Sequence, residues 1–171
     1  MKKAELIIIV AVLALGVGIM ARFAFSPSKY APTKTAVGFQ LPDLTGKIHS
    51  NSEWQGKIQV INFWATWCVP CRKEIPEFIK LQAQYADKNV HFIGIAIDEE
   101  KAVREFLSSI KPNYPMLVGG DAAGHTAREL GNNIGALPYT VVINQQGIVV
   151  HQQVGEFATE ELINVLTPLL K

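Results

Sequence analysis

Cys68 and Cys71 are the only cysteines in this 171-residue chain, and only Val69 and Pro70 separate them. Two thiols at that spacing can cycle between dithiol and disulfide when the backbone holds them one helical turn apart. The residues before them, Phe63-Trp64-Ala65-Thr66-Trp67, end an apolar, β-branched run, and a segment of helical periodicity follows. Cys68 therefore falls where a strand gives way to a helix. Unpaired N–H groups and the macrodipole at a helix start favour a thiolate and can bring a thiol from about 8.5 to roughly 7 or lower. Cys71, one turn on, can close the ring. A static structural disulfide is the competing use of the pair, but so short a loop offers it little entropic stabilisation.

Other chemistries fit less well. Tetrahedral zinc needs two further ligands, yet no second cysteine pair exists and His49, His91, His125 and His151 are scattered without ligand spacing. Arg72 follows Cys71, where haem attachment requires histidine. No metal and no cofactor is expected. Charge is nearly balanced, 16 basic against 15 acidic residues, with no basic stripe interleaved with aromatics, so a nucleic-acid partner is not expected.

The elements that must position the pair alternate along the chain. Phe39–Leu41 and Ile48–Ser50 read as a small hairpin around Gly46, and Lys57–Trp64 as a central strand covered on both faces. Val69–Tyr85 reads as a helix interrupted by Pro76, and Val90–Ile97 as a second buried strand. Asp98 should then cap a helix reaching about Ile110. Pro115–Val118 is a short strand, with a helix near Ala122–Leu130 after it. Tyr139–Asn144 and Gly147–Val154 form a hairpin, and Thr159–Leu170 closes the chain as an amphipathic helix. This order predicts a three-layer α/β/α domain with a mixed central sheet.

The N-terminus is of another kind. Lys2 and Lys3 precede an uncharged apolar run from Leu6 to Ala21, which Phe23, Ala24 and Phe25 extend past Arg22. About 20 apolar residues span a bilayer as a helix, a length reached here if Arg22 snorkels to the far interface. Residues 1–25 are read as one uncleaved transmembrane anchor in the lipid bilayer, with the domain outside the cytoplasm. A cleaved signal peptide is the rival reading, although Pro27 would follow the cut at Ala24-Phe25-Ser26. Residues 26–36 read as a linker and residues 37–171 as the domain. Either reading exports the domain to a compartment where disulfides persist, so a reductant there needs electrons delivered to it.

Trp67-Cys68-Val69-Pro70-Cys71, Pro76 five residues later, and Leu137-Pro138-Tyr139 before a hairpin together resemble the thioredoxin fold. Asn62-Phe63-Trp64-Ala65-Thr66-Trp67, Glu74, the strand–helix at Val90–Ile110 and the N-terminal anchor make the chain most similar to membrane-anchored TlpA/ResA-like (DsbE-like) thiol–disulfide oxidoreductases. The resemblance covers about residues 37–171. It implies that Cys68 attacks a substrate disulfide and that Cys71, more buried, resolves the mixed disulfide. It implies that Glu74 is a buried acid/base taking the proton of Cys71; a solvated first-turn glutamate is the alternative. Thioredoxin itself has a buried aspartate where Asn62 stands, so either Glu74 or water replaces that acceptor. The resemblance also makes Pro138 a cis-proline beside which an extended substrate pairs, with Leu137 and Tyr139 shaping selectivity and Trp67 forming a wall of the site. Its implied partners are protein thiol or disulfide clients, apocytochrome c cysteines among them, and a membrane thiol-electron transporter.

Two rival functions share related folds. A thiol peroxidase would need proline and threonine where Ile61 and Ala65 stand, and a copper-binding assembly chaperone uses three residues between its cysteines rather than two.

Overall fold

The computed structural model describes residues 35–170. In chain order the elements are β1 (Gln40–Pro42), β2 (Ile48–Ser50), β3 (Ile58–Trp64), α1 (Val69–Tyr85), β4 (Val90–Ala96), α2 (Glu100–Ser108), β5 (Met116–Val118), α3 (Gly120–Glu129), β6 (Tyr139–Ile143), β7 (Val149–Val154) and α4 (Thr159–Leu166). The β1–β2 hairpin is a two-stranded sheet of its own, bridged to β5 at Asp43–Leu117, beside a five-stranded sheet of order β5-β4-β3-β6-β7. Within that sheet β3 pairs parallel with β4 and antiparallel with β6, so the sheet is mixed, as expected. The expected membrane anchor and most of the linker lie outside the described residues. Among the described residues no helix is long and apolar enough to cross a membrane.

β3 is the middle strand and every one of its residues is buried. Its side chains alternate between the faces of the sheet, as the two-residue period of a strand requires. Ile58, Val60 and Trp64 join Cys71, Ile75 and Phe78 of α1 and Leu162 and Leu166 of α4 in one core. Ile61 and Phe63 enter a second core with Leu41 and Trp54 from the hairpin region and Ala123 and Ala127 of α3. Three layers result. Asn62, between Val60 and Trp64, is thereby aimed at the α1 side of the sheet.

One polar and small-residue row crosses this aliphatic sheet. Met116, Gly94, Asn62 and Thr140 are successive register partners on β5, β4, β3 and β6. A Cβ at Gly94 would come within 2.3 Å of Met116 Sδ and 3.3 Å of Trp64 Nε1, so only glycine leaves room beside Asn62 without repacking.

Three local expectations are corrected. Asp98 does not cap α2, whose N-cap is Glu99 with no side-chain bond. Its Oδ2 instead accepts from Thr66 N at 2.8 Å and Thr66 Oγ1 at 2.6 Å, while Oδ1 takes the Glu99 amide. Thr35 and Ala36, expected in the linker, already pair with the β6–β7 turn: Thr35 bridges Ile148 and Ala36 N donates to Gly147 O at 2.8 Å. The terminal helix ends at Leu166 and tightens into a 3-10 turn over Thr167–Leu170.

Candidate active site

Cys68 is the N-cap of α1, with extended backbone (φ −84°, ψ 103°), and its Sγ accepts from the Cys71 amide at 3.3 Å. Pro70 in the first turn forfeits only an amide that has no intrahelical partner there. The two sulfurs are bonded, with the Cα atoms 5.3 Å apart. Cys68 retains 5% of its surface and Cys71 none. Trp67 and Val69, on either side of Cys68, are 67% and 61% exposed, so the reactive end of α1 carries a collar of unburied apolar surface. The strand-to-helix turn is fixed from behind by Asp98, which holds Thr66. Burial pushes the Asp98 carboxyl up, but the Thr66 and Glu99 donors outweigh it and keep the group below the usual carboxylate range.

Glu74, three residues beyond Cys71 on the same face of α1, is buried rather than solvated. One oxygen, Oε1, accepts from the Phe157 amide, and Oε2 accepts from Asn62 Nδ2 at 3.4 Å. Burial pushes this carboxyl up to about 7, against the opposing pull of those two donors, and the nearby Glu156 raises it further. A group poised there can hold or release a proton at neutral pH. Asn62 Nδ2 also donates to Thr140 Oγ1 at 3.0 Å. Position 62 thus supplies a neutral amide where thioredoxin has an acid, and Glu74 is the buried carboxyl of this face.

The Leu137–Pro138 bond is cis. Because Phe63 pairs with Tyr139, antiparallel continuation carries Leu137 and Pro138 to the end of β3 from which the chain proceeds to Cys68. Pro138 O accepts from Gly155 N at 2.9 Å, and Gly155 sits at φ +82°, a conformation suited to glycine. The corner Gly155-Glu156-Phe157 therefore touches the proline strand with one amide and Glu74 with another. Leu137 is half-buried and packs against both cores.

Tyr139 does not face a substrate. Only 1% of it is exposed, it packs against Phe63 with ring centroids 6.1 Å apart, and its hydroxyl donates to Leu130 O at 2.9 Å. Strand alternation turns it to the core opposite α1, so its side chain braces the sheet rather than shaping selectivity.

Several site residues escaped the sequence. Phe157 acts through its backbone amide, which leaves no mark in side-chain identity. Thr140 reads as an ordinary β-branched strand residue until its register with Asn62 is known. Asn132 is buried and its side chain bonds both the amide and the carbonyl of Ala136, bracing the loop before Pro138. His49, read as a scattered histidine, lies between Glu53 (2.9 Å) and Asp43 (3.2 Å), away from the cysteines in the hairpin.

Residues 27–167 match the Redoxin family model. The chain belongs to the Redoxin family. Thiol-disulfide oxidoreductase ResA of Bacillus anthracis is 33% identical over 168 residues, 95% of each chain. Thioredoxin-like protein YneN of Bacillus subtilis is 36% identical over 131 residues, 74% of each chain. Among solved structures, a thiol:disulfide interchange protein of the thioredoxin family from Chlorobium tepidum superposes with a TM-score of 0.72 at 26% identity, covering 85% of this chain and all of that one. A secreted Mycobacterium tuberculosis disulfide oxidoreductase homologous to Escherichia coli DsbE gives 0.65 at 26% identity, over 77% and 96%. The fold is thioredoxin-like, and the chain is a ResA-like thiol–disulfide oxidoreductase whose redox pair is Cys68–Cys71.

Proposed function

We propose that residues 1–25 hold this oxidoreductase at the outer face of the cytoplasmic membrane, where it reduces disulfides of exported proteins, apocytochrome c cysteine pairs among them. The observation that carries the reading is the asymmetry of the pair. Cys68 stands at a helix start amid exposed Trp67 and Val69, whereas Cys71 is wholly buried on the face that carries Glu74.

In the reduced enzyme the Cys68 thiolate attacks one sulfur of the client disulfide. A Cys68–client bond forms, the client S–S bond breaks, and one client sulfur leaves as thiolate. Cys71 then gives its proton to Glu74, and its sulfur attacks Cys68 Sγ. The second client sulfur leaves, two electrons have passed to the client, and the Cys68–Cys71 disulfide remains. A membrane thiol-electron transporter returns the electrons. Leu137, beside the cis-proline, offers backbone for an extended client strand, and Trp67 lines the same rim.

Trapping tests this directly. Cys71→Ala, expressed with its N-terminal segment intact, should accumulate mixed disulfides with exported proteins in the membrane fraction, and Cys68→Ala should not. Absence of any trapped protein, with normal trapping by a control oxidoreductase, would refute a protein substrate.

A further inference from the structure

We propose that Thr140 and Asn62 are positioning residues for Glu74: the threonine hydroxyl of β6 orients the asparagine amide of β3 so that Oε2, the oxygen not served by Phe157, keeps a hydrogen-bond partner whether or not it carries the proton. The inference rests on the reading of Glu74 as proton acceptor and adds how its environment tolerates the change of charge.

The three side chains are among the most buried polar groups described, at 2% for Asn62, none for Thr140 and 3% for Glu74. Asn62 and Thr140 are direct cross-strand partners on the α1 side of the sheet. A buried carboxylate needs donors, and the protonated form needs an acceptor for its O–H. Phe157 N can donate to Oε1 in either form, but it cannot accept a proton carried on Oε2. The Asn62 amide offers both kinds of group. Its Nδ2 faces Glu74 Oε2, while its Oδ1 is buried with no hydrogen-bond partner. Rotation about the terminal side-chain bond would bring Oδ1 to a carboxyl O–H, and the Thr140 hydroxyl, donor and acceptor in one group, can follow either orientation. Aspartate at position 62 would repel the carboxylate, and an aliphatic residue would answer neither form.

Other titratable groups lie around the same carboxyl or its partner Phe157. Glu156 lies at the β7–α4 corner, and His151 of β7 stacks on Phe157 at 5.0 Å. Tyr114, before β5, has its hydroxyl pushed up by burial first and by the charge of Glu74 second. The cysteines do not titrate while oxidised, so the oxidised protein isolates the carboxyl.

The test is a carboxyl-carbon NMR titration of the oxidised protein, with Glu74→Gln assigning the Glu74 signal and Glu156→Gln separating its neighbour. The Asn62 side-chain amide resonances should move with the same midpoint as Glu74. Thr140→Val should raise that midpoint by about half to one pH unit, since the donor to the ionised form is no longer held. Thr140→Ser should restore it. Asn62 resonances that stay flat through the Glu74 transition would overturn the proposal, as would an unmoved midpoint in a folded Thr140→Val protein that has merely lost thermal stability. If Thr140→Val does not fold, the Asn62 titration in the unaltered protein still decides. A Glu74→Gln enzyme that resolves mixed disulfides at full rate would refute the acid/base reading separately, leaving the titration result intact.

Discussion

At the scale of single residues, the proposed resolution step depends on a carboxyl kept out of water on the helix face that carries Cys71. Burial raises Glu74 to about 7, within reach of neutral thiol chemistry, while Asn62 and the Phe157 amide prevent a larger rise. Replacing the group removes the acceptor without removing either sulfur. Glu74→Gln should slow resolution of the mixed disulfide by about 100-fold at pH 7, a general-base effect of ordinary size. The resolution rate, followed by stopped-flow fluorescence, should also lose its rise with pH near 7. Alkylation of Cys68 should change far less. A variant with unaltered resolution and an unaltered pH profile would assign Glu74 a purely structural part.

At the scale of elements, positions were legible where an apolar period set them, and hidden where a single side chain chose its own partner. β3 could be placed because seven successive buried residues admit few alternatives, and α1 because its apolar spacing continues from Cys71. Asp98 departs from the expectation of a cap. Its place before a helix fits a cap, but the Thr66 turn is spatially nearer than the sequence tells, and two Thr66 donors take the carboxylate. The consequence is testable. Asp98→Ala leaves the Thr66 amide without its acceptor and should cost about 1–3 kcal/mol in urea unfolding, with faster hydrogen exchange at the Thr66 amide. A capping role would instead loosen the first turn of α2 and leave Thr66 unchanged. Tyr139 departs from expectation for a related reason: adjacency to Pro138 suggests the substrate side, whereas strand alternation sends its ring to the other face.

At the scale of the molecule, the same buried carboxyl links stability to pH. Between about 4.5 and about 7 the folded protein keeps on Glu74 a proton that the unfolded chain has released. Stability from this group is therefore fully present below the lower value and is lost as pH rises through the upper one. The difference amounts to about 3 kcal/mol across the interval. Denaturant unfolding at a series of pH values should show the native domain losing ground against Glu74→Gln from pH 5 to 8. Parallel curves would mean that the carboxyl is not held dry. Asp98, whose carboxyl is lowered, acts in the opposite sense at more acid pH, losing its contribution as pH falls. The three-layer plan and the cysteine pair could be read from the chain because periodicity and spacing encode them. The row Gly94, Asn62 and Thr140 behind Glu74 could not, because it exists only across three strands brought together by the sheet.

That sheet order has an implication for biogenesis. The strand leading to Cys68 and the strand following Pro138 are neighbours in space yet 78 positions apart at the Asn62–Thr140 pair. During synthesis both sulfurs emerge well before the segment that walls them in. The wall around the pair is therefore complete only once the closing hairpin has docked.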